Sequence, residues 1–322
     1  MFYNVLALCC TRYPSTFSIV GCSTNRTSPY TLKRTSSSLL LLLLTTFLLT
    51  GCASRFPDPQ WAAHDTSVPS GVDIFTATFN AHGGESLAEL NDVNVSITGS
   101  WKTLIRKIQP LVTDYTYHVD SQERLLPNKR TYAALYTGPA GTKKVLRTPD
   151  KVDVHYNNLP SVDSQVLSST ALTADSFLLF LLGPLALEPW RDDFVRLSDE
   201  REKGKRYHRI YAAIAPGLGL SPRDEVVQWI DPDTNLTYKV QITLEGHDTT
   251  KGAHVETQFL SYETRAPFVF PAKFFERVNA PVSIDAHAWH LTGLDINRGL
   301  TLSDLERPSY SPAAIRPANT IE

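Results

Sequence analysis

Beyond residue 52 the chain contains no cysteine, and its only methionine is Met1. The four cysteines are Cys9, Cys10, Cys22 and Cys52, so the remainder can build neither a disulfide framework nor a thiolate metal site. Acidic residues are missing from positions 1–51, which carry Arg12, Arg26, Lys33 and Arg34. That leaves 27 basic against 33 acidic groups in the rest, a formal charge of −6, which excludes nucleic-acid binding through bulk positive charge. Catalytic signatures are absent too: there is no HExxH, no Gly-x-Ser-x-Gly and no Walker-type loop. Gly217-Leu218-Gly219 lacks a third glycine and lies between Pro216 and Pro222, so it reads as a loop. The composition that remains, 42% hydrophobic and 20% charged, is that of a globular protein, not a disordered or collagen-like chain.

The longest apolar run is Leu39–Leu49, eleven residues behind Lys33-Arg34. A membrane-spanning helix needs roughly 20 apolar residues; this run has the length and charged flank of a signal-peptide core. It ends in Leu49-Thr50-Gly51-Cys52, which resembles the lipobox of bacterial lipoproteins. The resemblance implies cleavage before Cys52 and acylation (palmitate or a similar chain) of that residue. It gives a signal peptide over 1–51 and a lipidated start and linker over 52–71. Residues 1–31 do not have the compact form of a signal, so a true start near Leu32 is expected. Ala53-Ser54 lacks the aspartate that marks inner-membrane retention in enterobacterial lipoproteins, which points to the outer membrane with the body facing the periplasm. Pro57, Pro59 and Pro69 punctuate the linker.

The body reads as mainly β, α+β in class. Ser70-Gly71-Val72-Asp73 is a capping box that opens an N-terminal helix stopped at Gly83-Gly84. Ser86–Glu89 repeats the capping pattern for a very short second helix. The period then becomes two: Val93, Val95, Ile97 and Trp101 alternate with polar residues, as do Leu236, Tyr238, Val240, Ile242 and Leu244. The latter run connects to residues 225–230 through the turn-forming Asp231-Pro232-Asp233-Thr234-Asn235. Strands are also expected at 113–120, 130–136, 143–148, 152–156, 206–214, 254–262, 272–278 and 287–296. Many strands, each with one dry face, make a large antiparallel sheet that must curl. One domain over 72–305 followed by a Pro-rich tail over 306–322 is the expected organisation.

Thr173 to Leu187 breaks the alternation. It contains Phe177-Leu178-Leu179-Phe180-Leu181-Leu182, stopped by Gly183-Pro184, and a helix that is apolar all round must be buried all round. Two readings stay open, a core helix packed on the sheet and a lid or plug over a cavity for acyl chains. Phe177, Leu178, Phe180 and Leu181 are cavity or lid candidates, with Trp101 and Trp229 on the dry strand faces beside them.

Other polar constellations read as structure. His287 and His290 are three apart in a strand and face opposite sides. His247 and His254 flank a turn, and no third metal ligand is placed near them. Asp231 and Asp233 belong to a turn sequence, and the charged stretch from Arg191 to Lys205 reads as an exposed strand and turn. No cofactor, no metal and no catalytic residue is expected.

Ala81-His82-Gly83-Gly84, the strand ending at Gly99-Ser100-Trp101, the paired block 227–238 and Phe270-Pro271-Ala272-Lys273 resemble lipoproteins with the LolA/LolB-like fold. The resemblance implies a half-open antiparallel barrel wrapped over helices, with an apolar interior that takes up acyl chains. A lipid or lipoprotein carrier, receptor or sensor without enzymatic activity is the function it implies. Its partners would be the membrane, through the anchor, and an acyl-chain or lipoprotein ligand. The alternative is a lipoprotein that binds no ligand and docks an envelope protein complex.

Overall fold

The structure is a computed structural model that describes residues 56–57, 68–314 and the backbone of 320–321. The apolar run Leu39–Leu49, Cys52 and Trp61 lie outside the described residues.

Helix α1 (Gly71–Ala81) begins at the expected capping box: the Ser70 hydroxyl accepts from the Asp73 amide, and the Asp73 carboxylate accepts from the Ser70 amide at 2.9 Å. A 3-10 turn (Gly84–Glu89) leads into β1 (Val93–Trp101), followed by two short helices, α2 (Thr103–Ile108) and α3 (Pro110–Thr113). A meander comes next: β2 (Asp120–Leu126), β3 (Thr131–Gly138), β4 (Gly141–Thr148), β5 (Lys151–Tyr156) and the two-residue β6 (Leu159–Pro160). Helix α4 (Ser164–Leu182) and a 3-10 segment (Gly183–Asp193) lead to a second meander. Its strands are β7 (Val195–Glu202), β8 (Lys205–Ile214), β9 (Asp224–Ile230), β10 (Thr237–Thr243), β11 (His254–Arg265), β12 (Phe268–Ala280) and β13 (Ile284–Ile296). A last turn of helix, α5 (Leu302–Leu305), precedes the C-terminal stretch, in which β14 (Thr320–Ile321) pairs with β11.

All neighbouring strands are antiparallel, and the two meanders join where β13 pairs with β1. The resulting row runs from β6 through β1 and β13 to β7, thirteen strands whose two outer members do not pair with each other. The sheet is therefore unclosed, a half-open barrel. The chain passes from one edge strand to the other through α4 and the 3-10 segment, so the most apolar helix crosses the open side. Of the helices among the described residues, this one alone is long and apolar enough to cross a membrane, yet most of it is buried inside the sheet. Sheet and helices cover each other: Phe75 and Phe79 of α1, α4 from Leu172 to Leu182, and the inner faces of the strands form one core.

Two sequence expectations are corrected. Residues 113–120 do not form a strand. Thr113 ends α3, Asp114 adopts a left-handed conformation (φ 41°), and strand pairing begins only at Asp120. Between them Tyr117 packs on Tyr156 and His118 on Tyr136, while Tyr115 and Val119 are exposed. The apolar helix also begins earlier than Thr173. Asp163 caps it by accepting from the amides of Gln165 and Val166, and its polar first turns hid its start. Past Leu305 the chain stays on the body: Tyr310 and Leu305 pack with Leu126, Ala133 and Leu146 on the outer face of the first meander.

Candidate functional site

Helix α4 has two unlike flanks. Toward the sheet, Phe177 packs against Trp289 (ring centroids 4.8 Å apart), which itself stacks on Phe274 at 3.7 Å. Phe180 and Leu181 are equally buried. Toward the open side, Leu178 and Leu179 face a pocket of about 430 Å³ between the edges of the sheet. This is within the range of small-molecule sites, roughly 300–1,000 Å³. Ala186, Leu187 and Trp190 of the 3-10 segment, Ile214 at the end of β8 and Leu218 complete its apolar wall. Arg130, Arg147, Lys151, Asp150 and Asp175 supply its charged groups.

The charged groups are not alike. Arg147 grips Asp175 with two parallel bonds, Nε to Oδ1 and Nη2 to Oδ2, each 3.0 Å. The same guanidinium donates to the Gly219 carbonyl, and the Gly219 amide donates back to Asp175 at 2.8 Å. This latch ties β4 to α4 and to the loop between β8 and β9, linking the two meanders across the gap. Gly219 must be glycine here: its φ is +63°, and a Cβ would lie 2.8 Å from the Leu172 backbone. Among the described residues Arg130 bonds no carboxylate, and Asp175 acts on it only at longer range. Its guanidinium lies 4.7 Å from the centroid of the Trp190 ring, and burial pulls it below its ordinary pKa. Trp190 is fixed in turn by its indole N–H, which donates to the Ala215 carbonyl at 3.3 Å. The pocket thus combines an apolar wall with Arg130 and with Lys151, which pairs with Asp153 at 2.8 Å.

The sheet-side flank also holds polar groups, and burial pushes each toward its neutral form. His118, close to Tyr136 and Phe177, is pushed down to about 3 by burial and, less, by the Lys143 cation. His287 is pulled down by burial, with His118 and Lys102 adding to it. Glu276 is raised to about 7 by burial, its carboxylate 4.0 Å from His287 Nδ1. On β2, Glu123 is raised to about 7 by burial against the opposing bond from Ser121. His82, at the end of α1, bonds the Val269 carbonyl through Nδ1 at 2.9 Å and is held at about 4, again by burial. The motif containing it is a structural joint between α1 and β12.

Of the six cavity candidates, the pocket brings in only Leu178. Phe177, Phe180 and Leu181 seal the opposite flank. Trp101 lies at the end of the interior, stacked on His287 at 3.9 Å with the rings 3° from parallel. Trp229 is a correction, because it sits on the outer face of the sheet with Leu197, Tyr207, Tyr211 and Val227. In the run 226–230, Val226 and Ile230 face the inner core while Val227 and Trp229 face out, and both stripes are apolar, so alternation could not choose. A register shift between Thr237 and Lys239 also turns Tyr238 outward, onto Tyr207 at 4.3 Å. The outer site is polar around its ring: Lys239 lies 3.9 Å over Trp229, pairs with Glu202 and Glu256, and the indole donates to Gln241.

Sequence reasoning missed Leu179, Trp190, Arg130 and Arg147. Only the Gly-Leu-Gly loop carried a signal, and it serves the pocket through its backbone. His287 is buried and His290 exposed on the opposite side, while His247 bonds Ser168 at 2.9 Å.

No protein-family model and no curated protein matches this chain. Among solved structures it is similar to a LolA superfamily protein from Nitrosomonas europaea, with 12% identity and a TM-score of 0.44, covering 71% of this chain and 94% of that one. It is also similar to a DUF1329 family protein from Desulfovibrio piger, at 10% identity and TM-score 0.43 over 74% and 98% of the two chains. A third is the lipoprotein LppX of Mycobacterium tuberculosis, at 14% identity and TM-score 0.23 over 54% and 88%.

Proposed function

We propose that this protein is an outer-membrane lipoprotein, anchored through Cys52 and facing the periplasm, that binds an amphiphile in the pocket between the sheet edges and performs no chemistry on it. The observation that carries the reading is the pairing of an apolar wall (Leu178, Leu179, Leu187, Ile214) with the rim cations Arg130 and Lys151. Burying a chain supplies affinity in proportion to apolar area, about 25 cal/mol per Å², and a cation at the mouth selects an anionic head over a neutral one. The volume suits a single acyl chain better than a whole lipidated protein terminus. The charge-flanked apolar run and Leu49-Thr50-Gly51-Cys52 support the anchor, and Ala53-Ser54 supports the outer-membrane destination.

Ala186 lines the pocket and is partly exposed, so Ala186→Trp fills the volume without entering the core. The purified protein and this variant would be titrated with a fluorescent fatty acid and extracted for co-purified lipid. Saturable binding by the parent, lost at least tenfold in the variant at an unchanged melting temperature, is the expected result. Equal, non-saturable uptake by both would overturn the pocket reading. Labelled palmitate incorporation, compared between the parent and Cys52→Ser, tests the anchor separately.

A further inference from the structure

One end of the half-barrel differs from the rest of the surface. There β1 ends and β2 begins, and α2 and α3 lie between them beside the loops 157–163, 215–223, 244–253 and 281–283. Among the described residues eleven large apolar side chains are well exposed, and nine of them belong to this end. Leu104, Ile108, Leu111 and Tyr115 come from the single stretch 103–115, with Val282 and Leu220 on neighbouring loops. Soluble proteins rarely leave so much apolar surface together without a use for it.

The stretch is held in place and is not a frayed loop. Ile105 is buried at 4% exposure, the Lys102 amide donates to Ala286, and Gln109 exchanges two bonds with Thr249, at 2.7 and 2.8 Å. The outward face of Leu104 and Ile108 is therefore fixed by the inward anchoring of Ile105. Between Trp101 and Asp114 the charges are Lys102, Arg106 and Lys107, with no acid, and Arg106 lies 4.8 Å over the Tyr115 ring. Apolar side chains flanked by cations on short helices are the chemistry of an anionic bilayer interface.

A second contact borders this end. Phe56 packs edge-on against His254 at 5.2 Å, and His254 follows the loop that bonds Gln109. Leu220, 64% exposed here, also lines the pocket, so the loop that latches the pocket borders the same surface.

We propose that this end of the half-barrel docks on an anionic phospholipid bilayer, with Leu104, Ile108 and Leu111 among the acyl chains and Lys102, Arg106 and Lys107 at the headgroups. The pocket then lies beside the bilayer, and its ligand can pass from the membrane without crossing water.

The test uses the full chain with Cys9, Cys10 and Cys22 replaced by serine, purified from the envelope and reconstituted into vesicles of phosphatidylglycerol and phosphatidylcholine in equal parts. An environment-sensitive dye is placed at Ile108→Cys or, as a control on the exposed β7–β8 turn at the opposite end, at Lys203→Cys. The dye at 108 is expected to be blue-shifted and quenched by brominated lipid, and the dye at 203 to report water. Each cation near an anionic surface is worth about fivefold in binding. The combined Lys102→Gln, Arg106→Gln and Lys107→Gln variant, or vesicles of phosphatidylcholine alone, should thus shift the docked equilibrium by on the order of a hundredfold and abolish the quenching. Identical signals at 108 and 203 would overturn the proposal. So would a dye at 108 that changes only on native envelope, because the surface would then meet a protein. Mass measurement of Cys52 separates the anchor from the docking. If no acyl group is found, the experiment is repeated with Cys52→Ser, and quenching at 108 then sustains the docking while the anchor reading fails.

Discussion

The two flanks of α4 are built from the same residue types and do opposite things. Phe177, Phe180 and Leu181 meet strands that continue past them on either side, so every gap is filled by a facing side chain, as with Trp289 on Phe274. Leu178 and Leu179 meet the place where the sheet ends, and among the described residues no strand lies beyond β6 or β7 to fill the space. The difference therefore lies in the topology and not in the helix. It extends to charge. On the sealed flank Glu276, His118 and His287 are driven toward their neutral forms by burial. On the open flank Arg147 and Asp175 form an ion pair with partial access to water, at 12% and 19% side-chain exposure. An unclosed sheet offers one side where a ligand fits and one that is filled, where the buried Lys143 is paired with Asp114 at 2.8 Å.

The largest contrast is expected from truncating the two flanks in turn. Phe177→Ala removes a ring from a filled site and should cost about 3–5 kcal/mol, because the aromatic neighbours cannot close the hole. Leu178→Ala enlarges a space that already exists and should cost about 2 kcal/mol, near the low end for such changes. Urea denaturation of both variants measures the difference, and equal losses would mean that the pocket closes in solution.

The next effect is at the latch. Arg147→Met leaves Asp175 half-buried without its cation. Breaking a buried pair costs roughly 3–5 kcal/mol, and the access to water here brings the expected loss nearer 2 kcal/mol. Because the Gly219 amide shares the same carboxylate, hydrogen exchange at 217–221 should accelerate far more than in β12. Unchanged exchange there would show that the loop is held by its own contacts and that the edges are not tied together by Arg147.

The sequence disclosed the sheet far better than the site. Period-two runs such as Val93, Val95 and Ile97 and the turn Asp231–Asn235 depend only on neighbours in the chain, and both appear as read. The all-apolar stretch 177–182 announced burial but could not say which side met strands. That depends on where β6 and β7 end up, some forty residues apart in the chain and on opposite edges of the sheet. Trp229 was legible as buried and illegible as to side, because β9 presents apolar residues on both faces. Arg130 and Trp190 meet only through the crossing of the open side, and nothing local to either residue marks them. The basic, exposed segment 102–115 was hidden for a different reason: its apolar content imitates a strand, and only the left-handed Asp114 and the buried Ile105 distinguish a surface helix from it.

The last expected effect tests the sealed flank by its protons. The Glu276 carboxyl titrates near 4.5 when unfolded and at about 7 in the fold, raised by burial. Between those values the folded protein keeps a proton that the unfolded chain loses, so this group's contribution falls as pH rises from 4.5 to about 7 and is constant above. Glu123 acts in the same direction. The histidines oppose them: His118 and His82 are held at about 3 and 4, so the unfolded chain takes up protons below 6.5 that the fold refuses, and stability is lost as pH falls. Glu276→Gln keeps the shape and removes one titration. It should match the parent below pH 4.5 and exceed it by about 3 kcal/mol above pH 7, while the acid-side loss due to the histidines is unchanged. Urea midpoints from pH 4 to pH 8 read this directly. Parallel profiles for the two proteins would mean that water reaches Glu276 and solvates its charge, and the flank called sealed would then be as open as the one that faces the pocket.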